Sequence, residues 1–261
     1  MSRLIQHLGW IKDRFDPRDF IYYPKVETVL ARPKEFNLTN LMPPVYDQGN
    51  LGSCTANAIN GVVEYLNMKQ YGAMGKWTPS RLFVYYNERV MLNTVNEDSG
   101  AMIRDGIKSI NAQGVCYEEP TWPYDVNKFS VKPPENAYKE AMDHQSLKYA
   151  RVSQSVQDIE SRLFEGFPIV FGIEIYSSFM SDAVAKSGEV PMPRRFWMWK
   201  MERLLGGHAI VLVGYNNMKK KFIARNSWGE KWGANGYFTI PYDYVLDSGL
   251  ADDFWTIQLM E

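Results

Sequence analysis

The sequence predicts an α+β fold in two lobes, with a reaction site in the cleft between them. Three observations carry this. Apolar residues recur at three- and four-residue spacing in the first half, short strand-like apolar runs fill the second, and the parts of one nucleophilic site are divided between them. Residues 1–36 stand apart as a charged arm broken by Pro24 and Pro33. The expected organisation is therefore an arm over 1–36 and a domain over 37–261, its helical lobe spanning about 45–120 and its β lobe about 150–261.

Taken in order, the arm carries interspersed charges, as in Asp13-Arg14-Phe15-Asp16-Pro17-Arg18-Asp19, and no apolar stretch long enough for a signal peptide or a membrane span. From Cys54, the apolar residues Ala58, Ile59, Val62 and Leu66 suit a helix with one buried stripe. A second helix follows Pro79-Ser80 through Leu82, Tyr86 and Val90. A third carries Ile103, Ile107 and Ile110 and stops at Gly114. Residues 117–150, with Trp122-Pro123-Tyr124 and Lys132-Pro133-Pro134, read as an irregular crossing between lobes. A short helix over 156–164 then introduces strands at 168–175, 208–215, 221–225 and 254–259. The chain has no internal repeat or low-complexity tract.

With 261 residues, 45% hydrophobic and 14% aromatic, the chain is able to bury one large core or two moderate ones. A formal net charge of −1 leaves no electrostatic footprint for nucleic acid or an acidic membrane surface, so neither is expected as a partner. Cys54 and Cys116 are the only cysteines, and a disulfide between them would consume the candidate nucleophile. The expected compartment is a reducing one: the cytoplasm of a microbe or of a cell hosting a virus, with packaging in a virion as the alternative.

The candidate chemistry is nucleophilic. A thiolate attacks and a thiol does not, so Cys54 needs a lowered pKa, which an imidazolium from His208 and a helix N-terminus would supply. An imidazole serves as base and acid only when its ring is held in one orientation, and Asn226 is the candidate orienter. Attack on an amide carbonyl creates an oxyanion, for which the Gln48 side chain and the Cys54 backbone N–H are candidate donors.

These residues sit in Pro-Val-Tyr-Asp-Gln-Gly-Asn-Leu-Gly-Ser-Cys (44–54), Gly-Gly-His-Ala-Ile-Val-Leu-Val-Gly-Tyr (206–215) and Arg-Asn-Ser-Trp-Gly-Glu-Lys-Trp-Gly-Ala-Asn-Gly-Tyr-Phe (225–238). From about Pro43 onward the chain resembles the papain-like, cathepsin-type cysteine proteases. The histidine and asparagine follow the cysteine at 154 and 172 residues, against roughly 130–150 in the papain signature, an excess that modest loop insertions account for. Two positions depart from that signature. Leu51 stands where the family has a first, disulfide-forming cysteine, which implies apolar packing in place of a covalent tie. Thr55 stands where an aromatic follows the nucleophile, which bears on helix packing and cleft shape.

The resemblance implies a two-lobed papain-like fold and peptide-bond hydrolysis through an acyl-enzyme on Cys54. It also carries over substrate-contact roles to Ser99 and Gly100, in a segment that pairs with extended substrate backbone, to Gly207 beside the histidine, and to Trp228, which shields the bond between Asn226 and His208. The specificity pocket would draw on dispersed positions such as Met102, Ala209 and the late chain. No paired-histidine loop for dipeptide release is present, which favours endopeptidase action. Family members are commonly made with inhibitory N-terminal extensions. The arm here is short for a helical propeptide, but it would cross the cleft as an extended strand or else pack on the surface.

Other readings of these residues are blander. Free cysteine is most often a small buried hydrophobe, the reading taken for Cys116. His7 and His144 lack any accompanying pattern and read as surface or packing residues. Metal binding has no Cys-x-x-Cys or His-x-x-x-His pair behind it, and no glycine-rich phosphate loop follows a strand, so neither metal nor cofactor is expected. The expected partners are protein or peptide substrates and the chain's own N-terminal segment. Two functional alternatives use the same residues: acyl transfer or deamidation on this scaffold, and a non-catalytic peptide-binding homologue.

Overall fold

In the computed structural model, residues 8–72, 76–144, 147–195 and 201–259 are described, and His7 lies outside them. After an extended stretch, the arm forms a helix, α1 (Val26–Ala31), and a short strand, β1 (Glu35–Asn37), that pairs with residues 214–216. The expected boundary between residues 36 and 37 thus falls inside a strand of the main sheet.

Three helices build the first lobe: α2 (Cys54–Tyr71), α3 (Arg81–Leu92) and α4 (Ile103–Gln113). α2 is buried on every side from Cys54 to Asn67, so the one-stripe expectation describes only part of its packing. Its polar residues are accordingly partnered: Asn60 donates to the Pro79 carbonyl at 3.0 Å, and Tyr46 donates to Glu64. Ser80 caps α3 by accepting from the Phe83 N–H, and Gly114 ends α4 at φ 76°. A β-carbon on Gly114 would lie 1.6 Å from the Ala141 carbonyl oxygen, so both the left-handed backbone and the close approach call for glycine.

The region 117–150 is more regular than expected, holding α5 (Glu135–Ala141) and the strand β2 (Leu147–Arg151). Pro134 occupies the N-cap position of α5, where proline's missing N–H costs nothing; the prolines introduce a helix here instead of breaking one. Next come α6 (Val156–Phe164), β3 (Ile169–Tyr176), α7 (Asp182–Ser187), β4 (Leu204–Asn216), β5 (Lys221–Arg225), β6 (Tyr237–Pro241), α8 (Tyr242–Leu246) and β7 (Ala251–Leu259). The strands form one antiparallel sheet in the order β2-β7-β3-β4-β5-β6, with β1 on the edge of β4.

One sheet face, through Val170, Ala209, Val211, Val213, Trp255 and Ile257, joins the core around α2. The other, through Phe171, Ile173, Ile210, Leu212 and Phe222, closes over a second core with residues of α6. Each fully buried aliphatic or aromatic side chain in these layers contributes roughly 1.5–3 kcal/mol. β4 is central and buried on both faces, which explains why 209–213 reads as an unbroken apolar run and not as an alternation. It carries the histidine against the helix that carries the cysteine. Cys116 is a buried free thiol, and the His144 ring packs 4.6 Å from Trp77.

Candidate active site

Cys54 is the first residue of α2, where the unpaired N–H groups and helix dipole favour a negative sulfur. The Ala209 N–H, on β4, donates to Cys54 Sγ at 3.4 Å, joining the two lobes at the candidate nucleophile. His208 is the neighbouring residue, with no exposed surface, and its side chain shares a sheet face with Ile210 and Leu212. Its Nε2 lies 2.8 Å from Asn226 Oδ1. That oxygen also accepts from the Ser227 N–H at 2.8 Å, which fixes the amide orientation and makes Nε2 the protonated ring nitrogen. Nδ1 has no hydrogen-bond partner among the described residues and is left with its lone pair. Trp228 stacks on the imidazole at 4.8 Å and is 1% exposed, so it excludes water from the His208–Asn226 bond.

Gln48 sits in the turn before α2. Its backbone N–H donates to the Ser227 carbonyl at 2.9 Å, its Oε1 accepts from Ser227 Oγ at 2.6 Å, and its Nε2 donates to the Leu51 carbonyl at 2.9 Å. The segment holding Asn226 thereby also holds Gln48. Leu51 is buried in the same cluster as Cys54, as apolar packing in place of a disulfide requires. Thr55 donates to the buried Glu88 of α3 at 2.6 Å, a polar tie between helices where the family has an aromatic.

The arm lies in this cleft. The Gly9 backbone N–H bonds the Cys54 sulfur, and its carbonyl accepts from the Ala101 N–H at 2.8 Å. Trp10 N–H donates to the Gly207 carbonyl at 3.0 Å, and Ile11 N–H donates to the Ala101 carbonyl at 2.9 Å. Cys54 and His208 are consequently sealed from water. Burial pushes the thiol up to about 12 and the imidazole down to about 4, so both are neutral at pH 7 while the arm is seated.

Of the sequence-derived contact residues, Gly100 and Gly207 line the arm, whereas Ser99 turns into its own loop, donating to the Gly100 carbonyl and bonding Thr94. The backbone pairing falls on Ala101, one residue beyond Gly100. Gly100 supplies clearance: a β-carbon on it would lie 2.1 Å from the Gly9 carbonyl oxygen. Sequence reasoning missed Asp98, which accepts from the Gly52 N–H at 3.0 Å and from Tyr85, fastening the loop before Cys54 to the Gly100 segment. It also missed Asp13 and Asp253. The readable signals were Trp10, a large aromatic in a charged arm, and Gly172, a glycine inside an apolar strand, which marks close backbone approach. Among the described residues no cluster of metal-ligating side chains occurs, and no helix is long and apolar enough to cross a membrane.

Comparison with known proteins identifies the family and the fold. Residues 32–254 match the family model of papain family cysteine proteases. An uncharacterized peptidase C1-like protein of Acanthamoeba polyphaga mimivirus is 44% identical over 98% of this chain and 88% of its own length. Among solved structures, xylellain, a cysteine protease from Xylella fastidiosa, superposes with a TM-score of 0.88 at 39% identity, covering 100% of this chain and 99% of that one. A recombinant stem bromelain precursor, 18% identical with a TM-score of 0.70 over 98% of this chain and 78% of its own, shares the fold.

Proposed function

Because the chain belongs to the papain family of cysteine proteases and is a cysteine endopeptidase, we propose that Cys54 is its nucleophile and that its own N-terminal arm holds it latent. When the arm leaves, water returns to the cleft, the burial penalty on both charged forms falls, and the Cys54 proton passes to His208 Nδ1. The thiolate then adds to the scissile carbonyl carbon, forming the S–C bond. Gln48 Nε2 and the Cys54 N–H stabilise the oxyanion. Collapse breaks the C–N bond as His208 returns its proton to the leaving amine. Water, deprotonated by the same nitrogen, hydrolyses the thioester and regenerates the thiol.

The reading rests most heavily on the bond from His208 Nε2 to Asn226, which keeps Nδ1 available as a base beside a residue whose own N–H touches the thiol. Two free cysteines and no disulfide among them favour work in a reducing compartment. The test is turnover of a fluorogenic peptide panel by the full chain under reducing conditions, with Cys54→Ala beside it. Loss of turnover in the variant is expected, and equal turnover in both would remove Cys54 from the reaction. Latency is read separately: a cysteine-directed epoxide should label the intact chain slowly and an arm-destabilised chain fast.

A further inference from the structure

Arg104, the second residue of α4, is 4% exposed, and among the described residues every group that its guanidinium bonds belongs to the arm. Nη1 donates to Asp19 Oδ2 at 2.9 Å and lies 3.9 Å from Asp16 Oδ2, while Nη2 donates to the Arg14 carbonyl. Nε is buried and has no partner among the described residues. The Arg104 backbone N–H is also given to the arm, donating to Asp13 Oδ1 at 3.2 Å. Two carboxylates of the domain face this group. Asp105, the next residue of α4, acts on Arg104 and Lys108 through space and forms no ion pair with either among the described residues. Asp253 is taken up by Arg151, by Trp10 Nε1 at 3.1 Å and by the Asp13 N–H at 2.7 Å.

Two further cations converge on the same stretch of arm. Arg151, at the end of β2, gives Nε to Asp19 at 2.9 Å and Nη2 to Asp13 at 3.2 Å, and keeps only Nη1 for Asp253 of the domain, at 3.3 Å. Lys108, one turn along α4, holds Nζ 3.9 Å from Asp16. The arm thus threads Asp13, Asp16 and Asp19, one acid every third residue, past a basic track that the domain builds, while its own Arg18 turns outward to Asp16. A buried guanidinium deprived of its carboxylates is costly, so departure of the arm leaves a demand for another anion. The unused Arg104 Nε leaves room for a carboxylate that takes two donors of the planar fork at once. A peptide is the form that reaches this track from the cleft. The arm runs from the Cys54 sulfur past the backbone of Gly207 and Ala101 to the Arg104 N–H, and then pairs Phe20 and Tyr22 with the Arg151 backbone at 2.7 and 2.8 Å.

We propose that Arg104, Lys108 and Arg151 form an acidic-peptide site outside the cleft, filled by the arm in the latent chain and, in the opened chain, by an acidic stretch of a protein substrate. Asp13 and Asp19 stand four and ten residues from Gly9, the residue at the Cys54 sulfur, so the stretch lies at about that remove from the scissile bond. This rests on the peptidase reading above and on release of the arm. Charge matched across such a surface favours one class of substrate and disfavours its opposite, without any change at the reacting atoms.

The experiment uses the full chain carrying Trp10→Ala, Asp16→Asn and Asp19→Asn. The first removes a ring seated so closely on β3 that a β-carbon on Gly172 would lie 1.9 Å from its Cε2, and the other two take the arm's carboxylates off the Arg104 guanidinium and Lys108. Fluorogenic peptides with one cleavable core carry, on its amino or its carboxyl side, a distal tail of glutamate, glutamine or lysine, and epoxide labelling of Cys54 runs in parallel. On one side of the core, kcat/KM for the glutamate tail should exceed that for the glutamine tail by roughly tenfold or more, and the lysine tail should fall below both. Arg104→Gln should bring the ratio of glutamate to glutamine toward one, and Lys108→Gln, at a side chain already 35% exposed, should lower it, both without changing turnover of the core alone. A labelled, active chain that cleaves all tails alike, or whose preference ignores both substitutions, overturns the acidic-peptide site while leaving the peptidase reading standing. Absence of both labelling and cleavage overturns the peptidase reading and the site with it.

Discussion

Gly9 and Gly52 meet backbone to backbone: a β-carbon added to Gly9 would lie 1.8 Å from the Gly52 carbonyl oxygen. Neither partner is a side chain able to swing aside. Gly9→Val should therefore unseat the arm locally, with loss of the Gly9–Ala101, Trp10–Gly207 and Ile11–Ala101 bonds. At about 1 kcal/mol each, their loss corresponds to roughly a 100-fold rise in the open population. The epoxide labelling rate of Cys54 in the full chain should rise accordingly, and an unchanged rate would mean that the arm does not guard the thiol.

The latch beyond the cleft is acidic, and its pH response follows from that. Asp13, buried beside Asp253, accepts from Trp255 Nε1 at 2.7 Å, from the Arg104 N–H and from Arg151, while Asp19 takes Arg104 and Arg151 as well. Burial first, and then the neighbouring Asp253 charge, raise Asp13 to about 7 from the ordinary 3.8. A released arm returns it to the ordinary value, so the docked state holds a proton that the released state gives up between those two pH values. Docking is consequently strongest in acid and weakens as pH rises through 7, by up to about 1.4 kcal/mol per pH unit. Asp13→Asn mimics the protonated form. Its labelling rate relative to the native chain should approach one only below pH 3.8 and should fall by roughly tenfold or more as the pH is raised to about 7. A ratio that does not change with pH would remove Asp13 as the titrating group.

At the reactive centre, Gln48→Glu keeps the acceptor for Ser227 Oγ but removes the Nε2 donor. If that donor stabilises the oxyanion, kcat should fall by about 100-fold or more with KM little changed. A rise in KM at constant kcat would place Gln48 in ground-state binding instead.

Much of this was legible in the sequence, because the chemistry is confined to short segments. Cys54, His208, Asn226 and Gln48 each sit in a run whose helix or strand character follows from local spacing, and the resemblance joined the runs. α6 and β5 have the expected limits because Ser155 caps one and a compact apolar run defines the other. Long-range backbone geometry was not legible. Ala101 pairs with the arm through main-chain atoms that any residue possesses, and Asp253 reaches the arm only because β7 bulges there. β1 and β2 were missed because three and five residues at a sheet edge acquire strand character from their partners and not from their own pattern.

Glu88 offers a separate test, of the packing that replaced the family's aromatic after the nucleophile. It accepts from Thr55 through Oε1, while Oε2 has no partner among the described residues and faces Gly106, so burial raises its pKa to about 8 from 4.5. In the folded chain it is therefore mostly neutral at pH 7, whereas in the unfolded chain it is ionised. A group raised in this way favours the fold fully below pH 4.5 and progressively less up to about 8. Across that window the loss approaches roughly 5 kcal/mol, since each pH unit between the two values contributes about 1.4 kcal/mol. Glu88→Gln, neutral in both states and able to accept from Thr55, should leave the thermal midpoint little changed at about pH 4 and raise it at about pH 9. If the native chain and Glu88→Gln lose stability in parallel across that range, Glu88 is not the group that titrates on unfolding.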